Sequence, residues 1–381
     1  MIGLKCDRIL MPDGFFDGFV YMDGETIRAV TDQCLPCDEM LDFSGKILSP
    51  GFIDIHTHGA GGCSFSGSGV EAVIHACHHH LRHGTTTLLP TVSTAPFATM
   101  AESLDHIVEA RRSPELKNRI AGAHMEGPYL SVRQCGAQNT DYITAPNAED
   151  YEALVRRHPG QIARWTYAPE RDPEGRFCTF LMKNGILPSV GHSDATYEEL
   201  SPAVDAGCRL VTHLYSATST VTRSGGFRSL GVIETAFLRE DLLVEIIADG
   251  RHLPPELIRM ILKIKGVDSV IAVTDSLFPA GTDMTEGVSD GVAFIVEDGV
   301  CKLPDRSAFA GSIATADRLV RVLTKDCGLP LHSAVGMLTA VPARLLGLNA
   351  GTIGEGKLAD LIVFDDDIRI GHAFVGGQKV L

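Results

Sequence analysis

Leu48-Ser49-Pro50-Gly51-Phe52-Ile53-Asp54-Ile55-His56-Thr57-His58-Gly59-Ala60-Gly61-Gly62 is the stretch that decides how this chain folds. Pro50 and Gly51 punctuate it, and Phe52 to Ile55 have the apolar density of a buried strand. Two histidines follow with one residue between them. Side chains alternate along an extended chain, so His56 and His58 project to one side and both imidazoles can reach one ion. The glycines after them let a loop fold close over such a site. A His-x-His pair taken alone is more often a pair of ordinary core or surface histidines than a metal site, so further ligands must come from elsewhere in the chain.

Beyond Pro50, β-rich runs alternate with helical ones. Strands are predicted at 52–55, 85–90, 120–125, 164–168, 187–190, 210–212, 243–248 and 270–274. Helical periodicity occupies 69–83, 94–112, 149–158, 173–184, 197–206, 231–238 and 254–263. Eight such strands alternating with helices match a (β/α)8 TIM barrel. An open doubly wound sheet alternates in the same way, but no Gly-rich phosphate fingerprint follows the first strand. After the eighth strand come a hairpin pattern at 294–303 and a helix at 312–326, then strands at 359–364 and 373–380. Residues 1–47 also read as short strands with turns, including Asp23-Gly24. Each terminal region is too short to bury a core, so the two are expected to share one domain. The expected architecture is α/β: a barrel at 48–340 with a small β-sandwich formed by 1–47 and 341–381.

Composition narrows the function classes. The 381 residues are 44% hydrophobic and 21% charged, with no apolar run of membrane-spanning length and no signal pattern at the start. A cytoplasmic protein is expected. The formal net charge of −15 argues against a nucleic-acid surface, so any bound anion must be held by a few local cations. Ten scattered cysteines fit reduced thiols, and Cys34-x-x-Cys37, with no second pair nearby, is read as coincidence.

Chemistry-bearing residues gather where the predicted strands end: His124 and Glu126 after the third, His192 after the fifth, His213 after the sixth, Asp249 and His252 after the seventh, Asp275 after the eighth. Barrel enzymes keep their sites on that face, so residues far apart in sequence converge there. His124 is read as a core histidine. His78-His79-His80 lies in a helical stretch and is read as a solvated helix without a metal role.

Six ordered segments now carry a resemblance: Pro50-Gly51-Phe52-Ile53-Asp54-Ile55-His56-Thr57-His58-Gly59, His124-Met125-Glu126-Gly127-Pro128, Gly191-His192-Ser193-Asp194-Ala195, Thr212-His213-Leu214-Tyr215-Ser216-Ala217, Ala248-Asp249-Gly250-Arg251-His252 and Val273-Thr274-Asp275. Together they resemble the N-acetylglucosamine-6-phosphate deacetylases of the amidohydrolase superfamily, over nearly the whole chain. The resemblance implies that Glu126, His192 and His213 hold a divalent metal, most often zinc, with iron, manganese or cobalt as alternatives. It implies that His56 and His58 add a second ion sharing Glu126, that Asp275 is the general base and acid, and that His252 polarises the substrate carbonyl. Ala137, Gln138, Ser216, Ala217, Asp249, Gly250, Arg251, Phe309, Ala310 and Gly311 fall where the family binds its sugar. Arg228 falls where a phosphate-binding arginine reaches in from the neighbouring subunit of a homodimer.

Departures bear on the substrate. Ser216 and Thr218 stand where the family usually has asparagine and methionine, and the segment 218–228 is one residue longer, which makes Arg223 a second phosphate candidate. Phe309 replaces a usual leucine at the acetyl pocket. The expected reaction is hydrolysis of N-acetyl-D-glucosamine 6-phosphate to the free amine and acetate, with the galactosamine epimer as the alternative. A cyclic amidohydrolase or deaminase, or a barrel that binds a sugar phosphate without turnover, are the other readings. Against the cyclic amidohydrolase, the third strand ends in Glu126 where that type often has a metal-bridging lysine.

Overall fold

The structure, a computed structural model, describes residues 1–381. Eight parallel strands form its centre: β1 (Phe52–Thr57), β2 (Thr85–Val92), β3 (Ala123–Glu126), β4 (Ile162–Tyr167), β5 (Leu187–Val190), β6 (Leu210–Val211), β7 (Leu243–Ile247) and β8 (Val270–Val273). They pair in chain order from β1 to β8. The Asp275 N–H donates to the His56 carbonyl and the His58 N–H to the Ser276 carbonyl, each at 2.9 Å, which ties the end of the eighth strand to the first. The (β/α)8 expectation holds.

The strands are buried on both faces, as parallel strands covered by helices must be, and β2 has no exposed residue. Outward-facing Val244, Ile246, Val270 and Ala272 pack with Ile258, Ile261 and Leu319 from the helical layer. Inside, Ile53, Ile55, Leu89, Leu210, Ile247, Ile271 and Val273 meet, and Val341 and Ala343 of the helix Ala340–Leu346 plug them. That plug enters at the N-terminal end of the strands, where the Ile53 N–H donates to the Leu338 carbonyl (2.7 Å). Each aliphatic side chain so buried contributes about 1.5–3 kcal/mol. The apolar floor leaves the C-terminal ends of the strands for polar groups.

Both chain termini build one small β domain, in which Leu361–Phe364 pairs antiparallel with Ile47–Pro50. The sandwich expected from the sequence is a single continuous sheet of eight strands folded about its own core of Leu4, Ile9, Val20, Leu361 and Phe374. The long strand Ile2–Met11 makes this folding feasible. It pairs first with Glu39–Asp42 and then, past a bulge between Cys6 and Ile9, with Leu48. No helix is long and apolar enough to cross a membrane.

Two insertions frame the C-terminal face. Glu286–Ser289, Val292–Glu297, Val300–Lys302 and Phe309–Gly311 form a four-stranded antiparallel sheet, of which the sequence showed only the central hairpin. Thr222–Ser224 and Phe227–Ser229 form an exposed hairpin turned by Gly225 (φ +56°) and Gly226 (φ +89°). Two consecutive positive φ angles suit a tight primed hairpin turn, which explains the glycine pair.

The reading of His78-His79-His80 as solvated is corrected at His80. On the helix Val70–Arg82 the buried face carries Val73, Ala76, Cys77 and His80. His80 has no exposed surface, and its Nε2 lies 2.9 Å from Thr57 Oγ1 and 3.2 Å from the Gly59 carbonyl. Three successive helical residues point in different directions, so one of them had to face the barrel.

Candidate functional site

Strand ends supply the site, and their backbones turn sharply there. His192 (φ +48°), His213 (φ +29°) and Asp275 (φ +46°) all adopt the left-handed region that non-glycine residues avoid. Local hydrogen bonds hold them: Ser131 N–H to the His192 carbonyl (2.8 Å), Ser216 N–H to the His213 carbonyl (2.8 Å), and Asp275 N–H to the His56 carbonyl. Such strain is kept where surrounding structure fixes it, and here it aims three side chains at one point.

At that point two triads share Glu126: His56, His58 and Glu126, and Glu126, His192 and His213, all buried. Glu126 Oε1 lies 3.1 Å from His213 Nε2, 3.2 Å from His192 Nε2 and 3.4 Å from His56 Nε2, while Oε2 lies 3.3 Å from His58 Nε2. His56 and His58 approach through their Nε2 atoms at 3.2 Å, as do His192 and His213. A tetrahedral ion with bonds of about 2.05 Å needs ligand atoms about 3.3 Å apart. The spacings observed are those of ligand-polyhedron edges, and the donor set of imidazoles with a carboxylate suits zinc, iron, manganese or cobalt better than calcium.

The rings are already turned for this duty. His58 Nδ1 is 3.0 Å from Ser93 Oγ, His192 Nδ1 is 2.9 Å from the Gln134 carbonyl and His56 Nδ1 is 2.6 Å from Glu245 Oε1. The two pure acceptors, the Gln134 carbonyl and Glu245, put the proton on Nδ1 of His192 and His56 and leave their Nε2 lone pairs for an ion. His213 Nδ1 has no partner. Beneath the ligands lies a buried polar layer that the sequence reading missed, centred on Arg164 of β4 and Glu245 of β7. His124 belongs to this layer as expected, with Nε2 2.7 Å from Thr166 Oγ1 and Nδ1 3.1 Å from Thr91 Oγ1.

Electrostatics favour a cation at this point. Burial disfavours charge on every group, yet the carboxylates of Asp275, Glu245 and Glu126 raise His56 well above the usual imidazole range, and those of Asp275 and Glu126 lift His58 to about 9. Reciprocally, burial would raise Asp275, but His56 and His58 hold it down at about 2, and Glu126 is driven well below the usual range. Asp275 Oδ1 stands 3.2 Å from His58 Nε2 and 3.4 Å from His56 Nε2.

A cavity of about 360 Å³ opens above this cluster, lined by His58, Glu126, His192, His213, His252 and Asp275. Of the sugar-site candidates, Ala137, Gln138, Ser216, Ala217, Phe309, Ala310 and Gly311 line it too. Gln138 Nε2 donates to Glu126 Oε2 (2.7 Å), and the Phe309 ring packs edge-on to His252 with centroids 4.9 Å apart. Asp249 lies beneath the wall: its Oδ2 accepts from His252 Nδ1 (2.9 Å) and its Oδ1 from the Arg251 and His252 N–H groups. Burial would raise Asp249, and the His252 contact outweighs it. Gly250 and Arg251 stay outside the cavity lining, with Arg251 exposed to solvent. Arg228 and Arg223 are cross-strand neighbours on the exposed hairpin and also lie outside it. Missed by the sequence reading were Arg133, Gln134, Tyr215, Leu277 and, from the insertion, Ser289, Asp290, Val292 and Phe294. The neighbours of Glu126 and His213 in sequence were the available signal for the first three.

Comparison with known proteins agrees with this geometry. The amidohydrolase family profile matches residues 47–380. N-acetylglucosamine-6-phosphate deacetylase of Haemophilus influenzae is 32% identical, over 98% of this chain and 98% of that protein. N-acetylgalactosamine-6-phosphate deacetylase of Shewanella sp. is also 32% identical, over 88% of this chain and 83% of the relative. The solved structure of N-acetyl-D-glucosamine-6-phosphate deacetylase from Mycobacterium smegmatis, in complex with N-acetyl-D-glucosamine-6-phosphate, superposes with a TM-score of 0.92 at 28% identity, covering 100% of this chain and 99% of that one. A closed barrel with a shared-carboxylate ligand cluster at its C-terminal face, together with a profile spanning nearly the whole chain, places this protein in the amidohydrolase family.

Proposed function

We propose that this chain hydrolyses the acetamide of N-acetyl-D-glucosamine 6-phosphate to D-glucosamine 6-phosphate and acetate. The observation that carries the reading is the placement of Asp275 against His58 and His56, beside two candidate ligand triads that share Glu126, on the floor of a sugar-sized cavity. End-to-end relatives with that activity support the substrate.

A bound divalent ion, for which zinc is the first choice, would polarise the amide carbonyl and lower the pKa of water from 15.7 towards about 7. Asp275 accepts the proton of the attacking water and returns it to the departing amine, and its lowered pKa keeps the carboxylate ionised for this role at neutral pH. His252, whose Nδ1 donates to Asp249, faces the cavity and would donate to the developing oxyanion through Nε2–H with a proton on both ring nitrogens. Phe309 narrows the cavity beside His252, which suits a small acyl group.

The phosphate needs a cation, and Arg133 is the sole lysine or arginine in the cavity lining; it is exposed and paired with Asp194 at 3.2 Å. This supports Arg228 as the phosphate ligand donated across a homodimer, since Phe227 beside it on the hairpin is 81% exposed and offers apolar contact area. Ten free cysteines accord with a cytoplasmic setting. The galactosamine epimer is the second reading, favoured by the Shewanella relative and by Ser216, whose hydroxyl lines the cavity where the family usually has asparagine. Zinc-loaded protein assayed for acetate release on both epimers, each with and without phosphate, tests the assignment. Fastest turnover is expected on the phosphorylated glucosamine form, and no release from any of the four would refute it.

A further inference from the structure

Four imidazoles converge on the ligand cluster through Nε2, but only His56 turns its outer nitrogen, Nδ1, to a carboxylate. Glu245 Oε1 sits 2.6 Å from His56 Nδ1, and neither residue has any exposed surface. A lone buried carboxylate would cost several kcal/mol, yet Glu245 is compensated from below. Arg164 NH1 donates to Glu245 Oε2 (2.5 Å) and to the Ile55 carbonyl (3.2 Å), Nε to Ser189 Oγ (3.0 Å) and NH2 to Thr212 Oγ1 (2.7 Å). With donors engaged on four different acceptors, the guanidinium cannot swivel. It fixes which oxygen of Glu245 faces His56.

We infer that Glu245, clamped by Arg164, is the positioning residue that makes His56 a ligand and thereby sets the affinity of the His56/His58/Glu126 position for its ion. The inference rests on the binuclear reading of His56 and His58. Because a carboxylate can only accept, His56 must carry its proton on Nδ1, and the Nε2 lone pair then points at Glu126 and His58. His58 faces the Ser93 hydroxyl, which can donate or accept and so leaves the tautomer open. His192 faces a backbone carbonyl that no side-chain substitution removes. The two ion positions therefore differ in what supports them. Glu245 also accepts the His213 N–H at 3.2 Å, but the His213 backbone is held independently through its carbonyl by the Ser216 N–H.

Glu245→Gln discriminates. Arg164 would draw the amide oxygen to itself and turn the NH2 towards His56 Nδ1, forcing the proton onto Nε2, where it blocks ligation. Outer contacts of this kind typically change metal affinity by about 10- to 100-fold. The measurement is zinc per full-length chain, by elemental analysis, across a series of zinc-buffered solutions. Wild type should fill two positions. Glu245→Gln should raise the free zinc that half-fills one of them by about 10- to 100-fold, leaving the other within threefold. On a His56→Ala background, which lacks that position, Glu245→Gln should change nothing further. Should Glu245→Gln fail to fold, Glu245→Asp draws the carboxylate back from His56 while keeping its charge near Arg164, and the same selective loss is expected. Unchanged occupancy of both positions, or equal weakening of both as a merely structural role would give, overturns the inference. A wild-type chain that saturates at one zinc overturns the binuclear reading beneath it, a result distinct from both.

Discussion

Replacing Asp275 by asparagine removes one proton acceptor and almost nothing else. The backbone at this position has φ +46°, which asparagine tolerates better than most residues, and the N–H to the His56 carbonyl (2.9 Å) and the Ser312 N–H to the Asp275 carbonyl (3.1 Å) do not involve the side chain. The carboxamide fills the same volume at 3.2 and 3.4 Å from the His58 and His56 Nε2 atoms. What is lost is general acid–base catalysis, worth about 10²- to 10⁴-fold, or roughly 3–5.5 kcal/mol of barrier. The proposed sugar and phosphate ligands do not include Asp275, so the apparent KM should stay within about threefold while kcat falls by that factor. Acetate release measured over a substrate series, with zinc content determined on the same sample, reads both. A kcat within tenfold of wild type in zinc-replete Asp275→Asn would remove Asp275 from its role.

Other consequences can be checked separately. His192→Ala takes one ligand from the Glu126/His192/His213 triad and should abolish turnover and lower bound metal by elemental analysis; an active, metal-replete variant contradicts the ligand assignment. If Arg228 binds the phosphate as proposed, Arg228→Ala removes charged hydrogen bonds worth about 1.5–3 kcal/mol, and KM for the phosphorylated sugar should rise roughly 10- to 150-fold with little change for the unphosphorylated one. Mixing Arg228→Ala with Asp275→Asn chains should restore activity through mixed dimers, and its absence despite demonstrated subunit exchange would place the arginine in its own chain. Burial holds His80 down at about 3, below the unfolded value near 6.5. The folded state therefore binds fewer protons than the unfolded one between these values, and the stability His80 contributes above pH 6.5 is lost as pH falls. Between pH 7 and 5 this amounts to about 2 kcal/mol. His80→Gln should show a shallower loss in urea titrations over that interval, and an unchanged slope would contradict the buried, neutral ring.

The barrel and the convergence of the candidate ligands could be read from the sequence because each rests on a local pattern. A strand followed by His-x-His places two imidazoles on one side by geometry alone, and polar residues closing the apolar runs near 126, 192, 213 and 275 mark the face on which parallel barrels carry chemistry. Arg164 and Glu245 were hidden for the opposite reason. Each is a single charge inside a strand pattern, and only closure of the barrel shows that the two meet. His80 was lost because a run of three histidines gives no phase, which the packing of Val73, Ala76 and Cys77 supplies. Arg228 was placed by resemblance. The fold puts it on an exposed hairpin outside its own cavity lining. The four-stranded insertion over the cavity escaped notice in part because Glu286–Ser289 and Phe309–Gly311 are only 4 and 3 residues long, too short to give a period.

The most direct measurement of the central claim is acetate release from N-acetyl-D-glucosamine 6-phosphate by the purified chain before chelation, after chelation, and after zinc is restored. The ligand cluster and Asp275 require activity that disappears with the metal and returns with it. Undiminished release from chelated protein proven free of metal, or no release from protein carrying its full complement of zinc, would contradict the account.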